Sequence, residues 1–172
     1  MRRLLGLLTG LALFISTSEM AGMSAQERTL RFYHTHTRQK LEVTYFRDGD
    51  YLPGALDELC AFLADWRNGE QTDLDPELFD LLWDIQRESG TWSTFEVISA
   101  YRSEATNEML RQRSSGVAKK SQHLLGKGID VRLRGLELER LRDTAKALQR
   151  GGVGYYASSN FVHVDTGRVR YW

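Results

Sequence analysis

The segment formed by residues 121–133 limits the fold most strictly, because it joins a glycine-containing turn to an alternating strand. In its second half, residues 128–133, apolar and polar side chains alternate. The apolar side chains then face one side of a strand, and Asp130 faces the other. Glycines between His123 and Asp130 allow a tight turn or a close backbone approach. The segment therefore predicts a strand with one buried face and a turn that can bring His123 back towards Asp130.

A second short segment, residues 161–165, again pairs a histidine with a carboxylate. His163 and Asp165 lie two positions apart, so they face the same way on a strand. The chain has only four histidines. Together, His123, Asp130 and His163 offer two imidazole nitrogens and a carboxylate oxygen. That set suits zinc with one position open to water. On spacing alone, a core histidine and a turn-capping aspartate remain the alternative.

Alternation, helical spacing and turn residues along the rest of the chain predict an α+β fold. In this fold an antiparallel sheet carries the metal site and helices flank it. Residues 26–172 are expected to form a single domain. The predicted strands are 30–36, 41–46, 95–99, 128–133, 152–156 and 160–166, the first two and the last two forming antiparallel pairs. The predicted helices begin at Pro53, at Pro76 and after Ser103, and a further helix covers 136–149. The first of these is expected to end at residues 67–69.

The N-terminal residues 1–25 are expected to be an export signal or an uncleaved anchor. Arg2 and Arg3 precede an apolar run over residues 4–15, and small residues suitable for cleavage follow. That run is shorter than the roughly 20 residues that span a bilayer. The pattern predicts export to the periplasm by the Sec route or, given the arginine pair, by the twin-arginine route.

Composition narrows the possible partners. The formal net charge is +0, so no global field attracts nucleic acid or anionic lipid. We expect no nucleic-acid partner, no membrane contact beyond the N-terminal segment, and a monomer. The single cysteine excludes an internal disulfide. His34 and His36 face one side of a predicted strand, but no neighbouring acid or cysteine completes a metal site. We expect them to be structural.

Several motifs resemble a known group of enzymes. The pattern Ser121-x-His123-x-x-Gly126-x-Gly128-x-Asp130 is similar to the SxHxxGxAxD signature of certain zinc peptidases. This group joins D-Ala-D-Ala dipeptidases and carboxypeptidases with lysostaphin and the hedgehog domain. Segment 97–103 resembles the strand-Tyr-Arg element that precedes this signature. Segments 114–121, 151–156 and 160–167 resemble one branch more closely, the exported murein endopeptidase K group of Gram-negative bacteria. The resemblance runs from about residue 29 to residue 172.

The resemblance implies a role for each site residue. His123, Asp130 and His163 would bind one zinc ion per chain. Arg102 would contact the substrate or a developing oxyanion, since a guanidinium stays charged and presents fixed donors; a surface salt bridge is the alternative. Ser121 would bind the substrate or support the loop, and a turn cap is the alternative.

Two positions depart from the pattern of the wider group. Gly128 stands where relatives usually have alanine. Asn160 stands three residues before the last histidine, where many relatives have the Glu or Asp that serves as general base. Asp165 is the nearest carboxylate to replace it. It would either accept the proton from metal-bound water or orient a metal ligand or Arg102.

The resemblance implies a zinc-dependent peptidoglycan endopeptidase that hydrolyses amide bonds in cross-linked stem peptides. The metal would lower the pKa of its water from about 15.7 to about 7 and polarise the scissile carbonyl. Two alternatives stay open. One is a D,D- or L,D-carboxypeptidase acting on stem peptides. The other is a non-catalytic cell-wall-binding module with a structural metal.

Overall fold

The computed structural model describes residues 27–114 and 116–172, which form one eight-stranded sheet and four α-helices. The strands are β1 (Arg28–His34), β2 (Lys40–Arg47), β3 (Asp50–Tyr51), β4 (Phe95–Ser99), β5 (Gly128–Leu133), β6 (Gly152–Tyr156), β7 (Phe161–Asp165) and β8 (Arg170–Tyr171). The helices are α1 (Pro53–Phe62), α2 (Pro76–Ser89), α3 (Glu104–Arg113) and α4 (Leu138–Leu148). Short 3₁₀ helices cover Gln122–Leu125 and Ala157–Ser159. The expected signal or anchor at residues 1–25 lies outside the described residues.

The strand order in the sheet is β3-β2-β1-β4-β5-β7-β6-β8. β1 and β4 run parallel, as do β6 and β8, while the other neighbours are antiparallel. The α+β prediction is confirmed, including the two antiparallel pairs β1–β2 and β6–β7. The sheet is mixed but mostly antiparallel. No helix within the described ranges is both long enough and apolar enough to cross a membrane.

The hydrophobic core lies on one face of the sheet, where helices cover the strands. On β5, Ile129 and Val131 are fully buried in this core together with Leu141 and Ala145 of α4. On β7, the neighbouring positions 162 and 164 point the same way. Because side chains alternate along a strand, the intervening positions of β5 and β7 face the opposite side. That side carries the candidate site.

Helix α1 is shorter than its apolar spacing predicts. It ends at Phe62 rather than at residues 67–69. The Asp65 side chain competes with the helix for backbone donors: its Oδ1 accepts a hydrogen bond from the Arg67 amide at 3.1 Å. Its Oδ2 accepts two more from Ser103, from the amide at 3.0 Å and from the hydroxyl at 2.9 Å. Trp66 and Arg67 consequently lie in a loop that is tied to the start of α3.

His34, at the end of β1, is fully buried and carries a structural hydrogen-bond pattern. Its Nδ1 accepts from the amides of His36 at 3.3 Å and Thr37 at 3.4 Å. Burial, helped by the nearby His36, lowers the pKa of His34 to about 4. The neutral imidazole is therefore the form that fits the folded protein, as expected for a structural histidine.

This environment predicts an acid-sensitive contribution to stability. The unfolded state binds a proton at His34 near pH 6.5, well above the folded pKa of about 4. The contribution is therefore complete above about pH 6.5 and is lost as the pH falls towards 4. We expect the zinc-free protein to lose about 2 kcal/mol of unfolding free energy from this source between about pH 7.5 and about pH 5. Urea unfolding at the two pH values should show a smaller loss for His34→Asn, and equal losses in both proteins would contradict the assignment.

Candidate metal centre

Two adjacent strands and the turn before one of them bring the candidate metal ligands together. Asp130 of β5 lies directly opposite His163 of β7 in an antiparallel register. On its other side, Asp130 pairs with Ser99, the last residue of β4. His123 comes from the 3₁₀ helix that precedes β5. The three candidate ligands thus lie on two neighbouring strands and the turn that leads into one of them.

The two glycines between His123 and Asp130 each meet a specific steric demand. Gly126 ends the 3₁₀ helix in a left-handed conformation with φ of 65°. A Cβ atom there would lie 2.5 Å from the Asp73 carbonyl oxygen, so a larger residue would displace the turn. At Gly128 a Cβ atom would lie 3.0 Å from Cε1 of His163. The alanine of the wider group would therefore press directly on this histidine ring.

The three candidate ligands present their donor atoms to one another at short range. His123 Nε2 lies 3.2 Å from Asp130 Oδ1 and 3.1 Å from His163 Nδ1. His163 Nδ1 lies 2.8 Å from Asp130 Oδ1. Ligand atoms at about 2.0 Å from a tetrahedral zinc ion are separated by roughly 3.3 Å. The observed triangle is therefore close to one face of such a coordination shell.

The outer nitrogen of each imidazole determines which tautomer faces this triangle. His123 Nδ1 lies 2.6 Å from the carbonyl oxygen of Ala100, which can only accept, so Nδ1 carries the proton. His163 Nε2 lies 2.9 Å from Asp165 Oδ2. Hydrogen bonding to this carboxylate places the second proton on Nε2. In its neutral form each ring therefore directs an unprotonated nitrogen towards Asp130.

The charges at the triangle favour a cation. Burial raises the pKa of Asp130, but the facing His123 and His163 outweigh burial and hold that pKa well below its usual range. Burial lowers the pKa of His123. At His163 burial acts the same way, but hydrogen bonds to Asp130 and Asp165 outweigh it and raise the pKa of that ring. One carboxylate and two nitrogen lone pairs thus converge in a buried place, where unpaired acceptors are costly. Within the described ranges, these three residues form the cluster of side chains that fits a metal ion; His34 and His36 are not in it.

Arg102 lies beside the metal ligands in the loop between β4 and α3. Its Nη2 is 3.5 Å from Asp130 Oδ2, and its side chain is only 10% exposed. Nε is buried and makes no hydrogen bond within the part of the chain that the structure describes. Burial lowers the pKa of Arg102, with Asp130 opposing. This is a buried cation with spare donors rather than a surface salt bridge.

Asp165 lies behind His163, away from the metal triangle. The carboxylate is fully buried and contacts the imidazole nitrogen that does not face Asp130. It also accepts hydrogen bonds from Arg170 at 2.7 and 3.0 Å, and from the amides of Gly152 and Gly167. With its oxygens occupied in this way, the geometry favours the orienting role for Asp165 over that of a general base.

Asn160 does not fill the place of the missing acid. It adopts a left-handed conformation, with φ of 54°, in the turn before β7. It borders a separate surface depression with Arg134 and Tyr155 rather than the metal-centre cleft. Among the described residues that line this cleft, Asp130 is the one carboxylate.

The metal triangle opens into a cleft of about 640 Å³. Ser121 lies on its wall, where its Oγ accepts a hydrogen bond from the His123 amide at 3.4 Å and caps the 3₁₀ helix. This contact corresponds to the turn-cap alternative. Because Ser121 also lines the cleft, its role in substrate binding stays a prediction. The cleft also includes side chains that sequence patterns did not place there. These are His36, Arg67, Tyr156, Arg170 and Trp172.

Little in the sequence distinguishes those additional cleft residues. Arg67 follows an apolar run that reads as a helix, and Trp172 comes from beyond the last motif. A signal was present for Arg67: the run Asp65-Trp66-Arg67-Asn68-Gly69 combines polar turn residues with a glycine, which is typical of a loop.

Comparisons with known proteins identify the family of this chain. A family described as peptidoglycan L,D-endopeptidase MepK matches residues 22–172. The peptidoglycan L,D-endopeptidase MepK of Escherichia coli (strain K12) is 40% identical over 175 residues, covering 99% of this chain and 96% of the relative. A probable peptidoglycan L,D-endopeptidase MepK of Haemophilus influenzae is 41% identical over 170 residues, covering 96% of this chain and 91% of the relative. No solved structure matches. The chain, with its His123–Asp130–His163 triangle, therefore belongs to the peptidoglycan L,D-endopeptidase MepK family.

Proposed function

We propose that this protein is a zinc-dependent peptidoglycan endopeptidase that hydrolyses amide bonds in cross-linked stem peptides. Membership of the family and the names of its relatives support the reaction class. The observation that carries the proposal is the convergence of His123 Nε2, Asp130 Oδ1 and His163 Nδ1 at 2.8–3.2 Å beside an open cleft. Two nitrogens and one oxygen, with room for a further ligand, are the donor set of a catalytic zinc site.

The residues around the triangle divide the remaining tasks. Zinc, when bound, polarises the scissile carbonyl and lowers the pKa of a water molecule to about 7. His123, Asp130 and His163 hold the ion. Arg102 directs buried donors into the cleft and would stabilise negative charge that develops on the carbonyl oxygen, or would bind a substrate carboxylate. Ser121 caps the 3₁₀ helix and so keeps His123 in place.

Asp165 is proposed as a positioning residue that holds the His163 ring. A carboxylate behind a ligating histidine fixes the tautomer and the orientation of the ring. We expect Asp165→Asn to lower zinc affinity about 10- to 100-fold and to lower activity at limiting zinc, with most of the activity returning at saturating zinc. Competition with a fluorescent chelator measures the affinity, and activity is followed across a zinc titration.

The same titration distinguishes the alternative role. A general base at Asp165 would leave zinc affinity unchanged and would reduce kcat even at saturating zinc. Asp143→Asn is the matched control, because Asp143 is exposed and, among the described residues, forms its ion pair with its neighbour Arg142. This control should behave like the wild type in both measurements.

The proposed function is tested with a purified cross-linked muropeptide dimer, in the presence and absence of a chelator. Mass spectrometry of the products separates three outcomes. Two muropeptide monomers support the endopeptidase, and release of a single terminal amino acid indicates a carboxypeptidase. No metal-dependent product between about pH 5 and about pH 9 would leave only a binding module with a structural metal. Elemental analysis should find about one zinc per chain.

The domain organisation and location follow from the same proposal. Residues 1–25 would direct export to the periplasm, residues 26–172 would form the peptidase domain, and the protein would act as a monomer on peptidoglycan stem peptides. The relatives' names refer to peptidoglycan, which supports export. Mass spectrometry of the protein recovered from the periplasm should show whether the N-terminal segment has been removed.

A further inference from the structure

Arg67 places a positive charge in the cleft of the proposed metal centre. Both Arg67 and Arg102 line this cleft. Within residues 27–114 and 116–172, no carboxylate oxygen lies within 4.0 Å of the Arg67 guanidinium, whereas Arg170, which lines the same cleft, is paired with Asp165. An exposed guanidinium that faces a cleft and lacks an internal partner is available to an anionic group of a ligand.

The position of this guanidinium is fixed by aromatic stacking. Cζ of Arg67 lies 4.1 Å from the centroid of a Trp66 ring. The imidazole of His36 stacks on Trp66 as well, with centroids 4.0 Å apart and planes 11° from parallel. A guanidinium that rests on an aromatic ring loses less conformational freedom when it binds an anion than a freely moving side chain does.

The loop that carries Arg67 is also attached to the segment that carries Arg102. Asp65 accepts hydrogen bonds from the Arg67 amide and from Ser103, the residue after Arg102. Asn68 Nδ2 donates to the Ser103 hydroxyl at 2.9 Å. These contacts fix the position of the Arg67 loop relative to the segment that carries Arg102. Asp65 uses its oxygens for this linkage, and its charge acts on the Arg67 side chain without forming an ion pair with it.

We propose that Arg67 is a specificity residue that binds a free carboxylate of the substrate next to the scissile amide. The inference rests on the proposed function and names the chemical group that the same cleft would recognise. Arg102, beside Asp130, is placed for the carbonyl oxygen at the metal, and Arg67 lies outside the contacts of the metal ligands. When the amine of a diaminopimelate centre forms the scissile amide, the same carbon carries a carboxylate. That carboxylate is the group assigned to Arg67.

The test uses two cross-linked muropeptide dimers, one with the free carboxylate and one in which it is amidated. With the zinc-loaded full-length protein, we expect amidation to lower kcat/KM about 10- to 100-fold, the range for one charge-assisted contact. Arg67→Ala should lower kcat/KM by a similar factor on the free acid and should no longer distinguish the two dimers. Arg67→Lys, which keeps the charge but not the planar fork, should give an intermediate result.

Arg113→Ala is the matched control. The charge of Arg113 acts on Arg67, but Arg113 does not line the cleft. This variant should retain the preference for the free acid. The proposal is overturned if Arg67→Ala keeps the wild-type preference for the free acid, whether or not its activity on both dimers falls. Zinc content and thermal melting should match the wild type, which excludes a folding defect.

A binding measurement separates this inference from the proposed function. Isothermal titration of the zinc-loaded protein with the muropeptide monomer, as free acid or amide, requires no hydrolysis. Tighter binding of the acid by the wild type but not by Arg67→Ala supports the carboxylate site even if neither dimer is cleaved. Cleavage of the dimers without any such preference leaves the endopeptidase intact and overturns the role of Arg67. Absence of both cleavage and binding overturns both.

Discussion

Replacing His163 with alanine should leave the protein without stoichiometric zinc and without measurable endopeptidase activity. His163 Nδ1 lies 2.8 Å from Asp130 Oδ1 and 3.1 Å from His123 Nε2, so its loss opens one corner of the triangle. If three ligands share a binding free energy of about 10–16 kcal/mol, removal of one should lower zinc affinity on the order of 10²- to 10⁴-fold. Elemental analysis after dialysis and hydrolysis of a muropeptide dimer would measure the two losses.

His36→Ala is the histidine control for zinc content. His36 lies in the same cleft but outside the metal triangle. It should retain about one zinc per chain, whatever its effect on substrate binding. Full zinc occupancy in His163→Ala would contradict the ligand assignment. Zinc loss in both variants would instead indicate that the cleft as a whole, rather than the triangle, retains the ion.

The local structure around the metal centre could be predicted from the sequence because it depends on short-range patterns. Alternation along residues 128–133 placed Ile129 in the core and Asp130 on the opposite face, as found. Asp75 caps α2 and accepts a hydrogen bond from the Glu77 amide at 3.1 Å, as a helix start with Pro76 implies. These outcomes follow from strand and helix geometry alone.

The register between strands could not be predicted in this way. The contact of Asp130 with His163 depends on how β5 pairs with β7 across a separation of 33 residues. Local alternation says which face a side chain occupies, but it does not say which residue lies opposite. The resemblance to known zinc peptidases, rather than the periodicity, predicted that Asp130 and His163 lie together.

Interactions with backbone groups, or with side chains distant in the sequence, could not be predicted from the sequence either. The tautomer of His123 depends on a carbonyl, that of Ala100, and a carbonyl is common to every residue. The early end of α1 depends on Asp65 binding Ser103, 38 residues away. Apolar spacing through Trp66 therefore predicted a helix where the structure has a loop, and Arg67 was missed as a cleft residue.

Arg102 should affect the reaction rate more than zinc binding. Its guanidinium is buried beside Asp130, and Nε has no partner within the described ranges. Donors that are already in place where negative charge develops cost no reorganisation during the reaction. We expect Arg102→Ala to reduce kcat about 10²- to 10³-fold while about one zinc per chain remains bound. Steady-state kinetics on the muropeptide dimer at saturating zinc would measure the effect.

Two further variants decide how Arg102 acts. Arg102→Lys retains a positive charge without the planar fork and should recover only part of kcat. Arg134→Ala removes an exposed guanidinium that pairs with Glu96 outside the cleft, and it should leave kcat unchanged. If excess zinc restores the activity of Arg102→Ala, Arg102 acts by holding Asp130 for the metal. If kcat stays low at full zinc occupancy, the guanidinium acts on the substrate, because the ligand set is then intact and only charge stabilisation has been lost.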